Sequence, residues 1–236
     1  MAITFLASPR TAVRSTVALK ALMAVTGLIL IGYLLAHMYG NLKVFSGETA
    51  FNEYAHHLRV LGEPLLPRSG ALWIIRVVLL ASVFAHMYAA FKLWGRARKA
   101  RGGVQRYHSN RNRTGVQRTY ASFTLRWGGV IIALFVVYHL LHLTWNIVAP
   151  GGPAPEPYDR LVNGFRIWWV VAIYTVAMAA VGFHLRHGVW AALSTLGANV
   201  SSVARRRLNL LAYAMAGIIT FGFLLPPYAI LFRWVG

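Results

Sequence analysis

Long apolar runs separated by short polar stretches dominate the pattern of this chain. Five runs are long enough to cross a bilayer as helices, which takes about 20 residues each. They fall at roughly 17–42, 69–94, 123–148, 165–193 and 208–232. The connection after the first run is polar and holds Glu48, Asn52, Glu53, His56, His57, Arg59, Glu63 and Pro64. The second connection is strongly basic, from Arg96 through Arg118 and including His108, and the third is a Pro/Gly-rich turn from Pro150 to Asp159. The fourth ends in Arg205-Arg206-Arg207. No repeat and no low-complexity tract interrupts the series. The pattern predicts an all-α integral membrane protein, a bundle of five transmembrane helices forming one membrane domain over residues 1–236.

Composition supports this and removes several alternatives. Hydrophobic residues make up 58% and charged residues 12% of the chain, against about 25% charged in ordinary soluble domains. There is no cysteine. Disulfide frameworks, zinc–thiolate sites, iron–sulfur ligation by this chain and cysteine nucleophiles are therefore excluded. The net charge of +19 could suggest a nucleic-acid partner. Its distribution points instead to orientation in a membrane, because the basic residues cluster between apolar runs. Ten Lys or Arg lie between Lys92 and Arg126, whereas all five acidic residues (Glu48, Glu53, Glu63, Glu156, Asp159) lie in the first and third connections. The positive-inside rule then places the N-terminus, with Arg10, Arg14 and Lys20, and the second and fourth loops in the cytoplasm. The basic start of the first run resembles a signal peptide. Its length exceeds the usual 7–15 apolar residues of one, so a retained span is expected.

Histidine is the unusual ingredient. Nine are present, and four of the five runs contain at least one: His37, His86, His139 with His142, and His184 with His187. Ionisable groups within a membrane are costly and mark functional sites. At 1.5 Å rise per residue, His37 and His139 lie roughly 6–10 Å outside the midplane, and His86 and His184 roughly 6–8 Å toward the cytoplasm. These depths define an outer and an inner level with two histidines each. Two histidines at one depth on different helices suit bis-imidazole ligation of a haem iron, which leaves no open site for O₂ and so confines the haem to electron transfer. No run carries a carboxylate, the usual ingredient of non-haem metal clusters and proton-relay transporters.

Four local motifs accompany these histidines. They are Leu34-Leu35-Ala36-His37-Met38-Tyr39-Gly40-Asn41, Phe84-Ala85-His86-Met87-Tyr88, Arg126 thirteen residues before His139, and Phe183-His184 followed by Gly188-Val189-Trp190. In this order they resemble the di-haem cytochrome b membrane anchor of succinate dehydrogenases and fumarate reductases, in the B type, whose anchor is a single chain. The resemblance implies that His37 and His139 ligate an outer haem b, and His86 and His184 an inner one. It selects His139 over His142 and His184 over His187, for which a hydrogen bond to a neighbouring helix or headgroup is the ordinary reading. It further implies a flavoprotein and an iron–sulfur subunit docked on the cytoplasmic face, which carry the FAD and the iron–sulfur clusters. Succinate would be oxidised there, and electrons would pass through the inner and outer haems to quinone, usually menaquinone in this type. The expected location is the cytoplasmic membrane, with lipid as the surrounding partner and no nucleic acid.

Other residues have both ordinary and functional readings. Gly27, Gly32, Gly128, Gly129 and Gly182 suit close helix packing or room for a flat haem face. Arg76, Arg126, Arg166 and Arg186 suit headgroups or haem propionates. Quinone reduction needs a proton source near the outer level, for which Glu63, Glu53 and His56 are candidates. Some relatives carry a Glu two residues before the fourth ligand; Gly182 stands there in this chain. Two alternatives stay open: a haem-free structural anchor, and a di-haem cytochrome b serving another quinone-linked oxidoreductase.

Overall fold

The computed structural model describes residues 15–100 and 116–236, with side chains from 125 onward in the second stretch. The N-terminal arginines and most of the basic second loop, with His108, lie outside the described residues. Among the described residues there are seven α-helices and no strand. Five are long and apolar enough to cross a membrane.

Helix α1 spans Thr16–Leu42. It starts where the Ser15 hydroxyl accepts a hydrogen bond from the Ala18 amide (3.1 Å), satisfying one of the orphan donors of the first turn. A short 3₁₀ turn, Lys43–Ser46, follows. Gly47 then redirects the chain at φ 90°, a conformation glycine adopts without steric cost. Helix α2 is Glu48–Val60. Helix α3, Gly70–Ala100, runs past the apolar stretch into Arg96, Arg98 and Lys99. Cations at a helix C-terminus oppose its negative dipole end, so the helix outlasts its hydrophobicity. Helix α4 is Val116–His139, continued by a π-helical turn, Leu140–Thr144. Helix α5 is Pro157–Phe165, with its proline in the first turn, where no amide hydrogen is needed. Helix α6 is Trp168–Thr195 and α7 is Ser202–Leu231, the latter capped by the Ser201 hydroxyl.

The five spans agree with the hydrophobic runs to within several residues. Two connections differ from the sequence reading. The polar first loop folds as α2, and the end of the Pro/Gly turn folds as α5. Both are short and mix polar with apolar residues, so neither resembles a span. They form a cap, where the Tyr158 amide donates to Asn52 Oδ1 (3.1 Å) and the Phe51 and Tyr158 rings meet edge to face. Beneath the cap, Val44, Leu161, Val162, Phe165, Val170, Tyr174 and Ile230 form one buried cluster.

The packing order decides what the histidines can do. Helix α1 packs on α3 and α6, α4 packs on α6, and α7 lies against α6 and α1. Among the described residues no extended backbone contact joins α1 to α4 or α3 to α6. In the packing order α3–α1–α6–α4 each of these pairs spans one intervening helix, which makes them the diagonals of a four-helix arrangement whose α3–α4 side has no extended backbone contact among the described residues. Helices across a diagonal are separated, and the space between them is filled by side chains or by a ligand.

Candidate functional site

Each diagonal carries one of the expected histidine pairs. His37 on α1 and His139 at the end of α4 have ring centroids 5.7 Å apart, with planes at 86°. His86 on α3 and His184 on α6 have centroids 6.2 Å apart, with planes at 61°. Four helices thus bring together the histidines that depth and the family resemblance together paired. Among the described residues no three metal-ligating side chains converge, so the imidazoles meet in twos.

The hydrogen bonds determine which ring nitrogen is engaged. At the inner level, the Thr26 hydroxyl donates to the Leu22 carbonyl of its own helix (2.7 Å). Its oxygen therefore accepts from His86 Nδ1, 3.2 Å away. With the Thr26 hydrogen on the Leu22 carbonyl, the matching tautomer of His86 has its hydrogen on Nδ1 and its lone pair on Nε2. His184 Nδ1 is buried with no hydrogen-bond partner. At the outer level, the Tyr174 hydroxyl lies 3.2 Å from His139 Nδ1 and 3.0 Å from His142 Nδ1. His37 stacks on Tyr33 (5.3 Å between centroids, planes 11° apart) and touches Phe223.

The π turn and α5 account for His142. Its ring is 2% exposed and is bound to Tyr174 on the neighbouring helix, which is the ordinary role expected of it. It packs so closely on α5 that a Cβ on Gly164 would collide with the ring. His187 Nδ1 lies 3.3 Å from the Phe183 carbonyl of its own helix.

The glycines divide by neighbour. A Cβ on Gly27 would sit 3.4 Å from His86 Cε1, and one on Gly129 would sit 3.7 Å from His184 Cε1. Both border the inner pair. A Cβ on Gly182 would collide with Thr220 of α7, so this glycine serves helix packing. Gly128 faces the Ala180 carbonyl across the α4–α6 contact.

The arginines divide in the same way. Arg186 donates to Asn209 Oδ1 (3.1 Å) and to the Tyr213 hydroxyl (3.0 Å), tying α6 to α7. Arg126 lies over the Trp94 ring and Arg76 over Trp73, while Arg166 is exposed. Glu53 and His56 are exposed on α2, and Glu63 is exposed in the turn that follows. His56 Nε2 accepts from Arg68 (3.2 Å). None of the three shares a hydrogen bond or ring contact with the outer pair, so the fold does not join them to it directly.

Sequence reasoning overlooked Tyr174 and Thr26. Depth arithmetic contains the signal. Tyr174 precedes His184 by ten residues and Thr26 precedes His37 by eleven, about 15 Å along each helix. Each therefore reaches the level opposite to its own helix's paired histidine.

Five apolar spans with imidazoles paired across two diagonals define an integral membrane helical bundle built around half-buried histidine pairs. A family model described as succinate dehydrogenase/fumarate reductase transmembrane subunit matches residues 105–224, just over half of the chain, and the protein belongs to that family. The match includes His139, Tyr174 and His184; His37 and His86 precede it. No curated protein and no solved structure matches the chain. The protein is thus a membrane anchor subunit of a succinate dehydrogenase or fumarate reductase complex.

Proposed function

We propose that this anchor passes electrons between a cytoplasmic iron–sulfur subunit and quinone through two bis-histidine haems b. His37 and His139 would hold the outer haem, and His86 and His184 the inner one. The observation that carries the reading is the meeting of these four histidines in two pairs across the bundle diagonals. Two imidazoles bound end-on to one metal, at about 2 Å per metal–nitrogen bond, hold their ring centroids roughly 6 Å apart. The separations of 5.7 and 6.2 Å suit that demand. When bound, each haem supplies a one-electron iron couple.

The chain's own residues prepare this role. Thr26 holds His86 Nδ1 and leaves Nε2 for iron. Gly27 and Gly129 keep bulk away from the inner imidazoles. Two histidines held to each iron would leave O₂ no coordination site. Dicarboxylate chemistry would belong to the partner flavoprotein, with its FAD, and the iron–sulfur subunit would carry the electrons; both would dock on the face that the basic loops mark as cytoplasmic. Menaquinone is the quinone we assign. Glu63, Glu53 and His56, open to water beside the cap, would relay its protons.

A haem-free anchor would use its histidines to hydrogen-bond between helices. The test is a dithionite-reduced minus oxidised spectrum of the purified membrane complex, with a haemochrome count per chain. Two b-type haems and co-purifying flavin support the proposal. No haem overturns it in favour of the structural anchor. Two haems with a metallo-oxidoreductase partner would assign the chain to another quinone-linked complex.

A further inference from the structure

We infer that Tyr174 is a positioning residue for the outer haem ligand, acting through a one-way hydrogen-bond chain from His139 through its hydroxyl to His142. The inference rests on the proposed haem ligation.

The Tyr174 hydroxyl has one hydrogen and faces two Nδ1 atoms, of His139 at 3.2 Å and His142 at 3.0 Å. A neutral imidazole carries one N–H, and its other nitrogen is an acceptor. Were both Nδ1 atoms bare, one hydroxyl hydrogen could serve only one of them. Were both protonated, the hydroxyl would accept twice and its own hydrogen would need another acceptor. One arrangement satisfies all three groups: one histidine donates to the tyrosine oxygen, and the hydroxyl donates to the other. Nδ1 is the engaged nitrogen of His139, so iron would take Nε2. A neutral His139 ligated through Nε2 carries its hydrogen on Nδ1 and must be the donor. Tyr174 then donates to His142 Nδ1, and His142 carries its hydrogen on Nε2.

This direction has an electronic consequence. A ligand imidazole that donates its second N–H becomes more basic and is held at one ring angle. A hydroxyl that is itself donating accepts more strongly, because linked hydrogen bonds polarise one another. His142 therefore acts on His139 through Tyr174, although it ligates nothing. Burial keeps the chain dry: Tyr174 is 6% and His142 2% exposed. The Phe135 and Phe165 rings meet Tyr174 edge-on at 4.9 and 4.7 Å and fix its ring. A greater basicity of His139 favours ferric over ferrous iron, so the chain lowers the outer haem's potential.

The experiment is potentiometry and low-temperature EPR on the purified complex carrying Tyr174→Phe, which keeps the ring and its packing and removes only the hydroxyl. Both haems should remain, the outer midpoint should rise, and the outer low-spin g-values should move. The inner haem should be unchanged and serves as the internal check on folding. His142→Leu should move the outer midpoint the same way by less. Two haems with unaltered midpoints and g-values in Tyr174→Phe would reduce Tyr174 to a packing residue and overturn the inference alone. A wild-type complex without haem would overturn the proposed function, and this inference with it.

Discussion

The outer and inner histidine pairs share one plan and differ in its execution. In both, the second imidazole comes from the diagonal helix, and a hydroxyl on an adjacent helix holds one ring. Helix α1 carries the outer His37 and supplies Thr26 to the inner His86; α6 carries the inner His184 and supplies Tyr174 to the outer His139. At the inner level the hydroxyl already donates to its own backbone, so the bond ends there. Glycines on α1 and α4 leave room beside both rings. At the outer level the hydroxyl continues to a third histidine, and aromatic rings crowd the site: Tyr33, Phe135, Tyr174 and Phe223. The difference teaches that orientation can be set by local backbone bonding with space left open, or by dense packing around a shared polar chain.

Ligand removal gives the largest effect. His139→Ala should lose the outer haem and His86→Ala the inner one, halving the haemochrome count in each case while the other haem's spectrum persists. Loss of both haems, or of neither, from a single substitution would break the two-level scheme. Next comes the room beside the rings. Gly27→Leu, whose side chain begins 3.4 Å from His86 Cε1, should reduce inner haem content and spare the outer; equal loss at both levels would argue against separate sites.

Gly164→Ala tests the packing of the outer level. Its Cβ would strike the His142 ring, an overpacking that costs about 1–3 kcal/mol. A lower thermal midpoint of the detergent-solubilised complex is the expected reading, and an unchanged midpoint would contradict the close approach. Thr26→Val should have a smaller effect. Hydrogen bonds between membrane helices average about 0.6 kcal/mol, so both haems should stay, with a shift confined to the inner midpoint. The smallest structural effect is expected for Glu53→Gln and Glu63→Gln, both exposed. Quinone turnover should fall with both haem spectra intact; unaltered turnover would remove these carboxylates from the proton route.

Much of this is legible in the order of residues alone. A span needs about 20 contiguous apolar residues, and that requirement is local, so five runs mark five spans. Depth follows from counting residues along a helix, so His37 with His139 and His86 with His184 fall on common levels and do meet. The cap is not legible in that way. Helix α2 is 13 residues and α5 is 9, and both form where Gly47 turns the chain and tertiary contacts cover a surface of mixed polarity. Glycine roles stay open for the same reason: Gly27 and Gly182 look alike in sequence, and only the neighbour, an imidazole or the Thr220 hydroxyl, separates them.

The sequence by itself determined that the chain is a bundle of membrane helices, how many spans it has and which histidines share a level. Apolar length and helical rise are properties of single segments, and the bilayer enforces them one segment at a time. The tertiary structure decided which helices lie on diagonals, which nitrogen of His86 and of His139 is engaged and that one tyrosine hydroxyl joins His139 to His142. Those contacts link residues 32 to 60 positions apart. No local period encodes them, because a hydrogen bond between two helices depends on the rotation and offset of both.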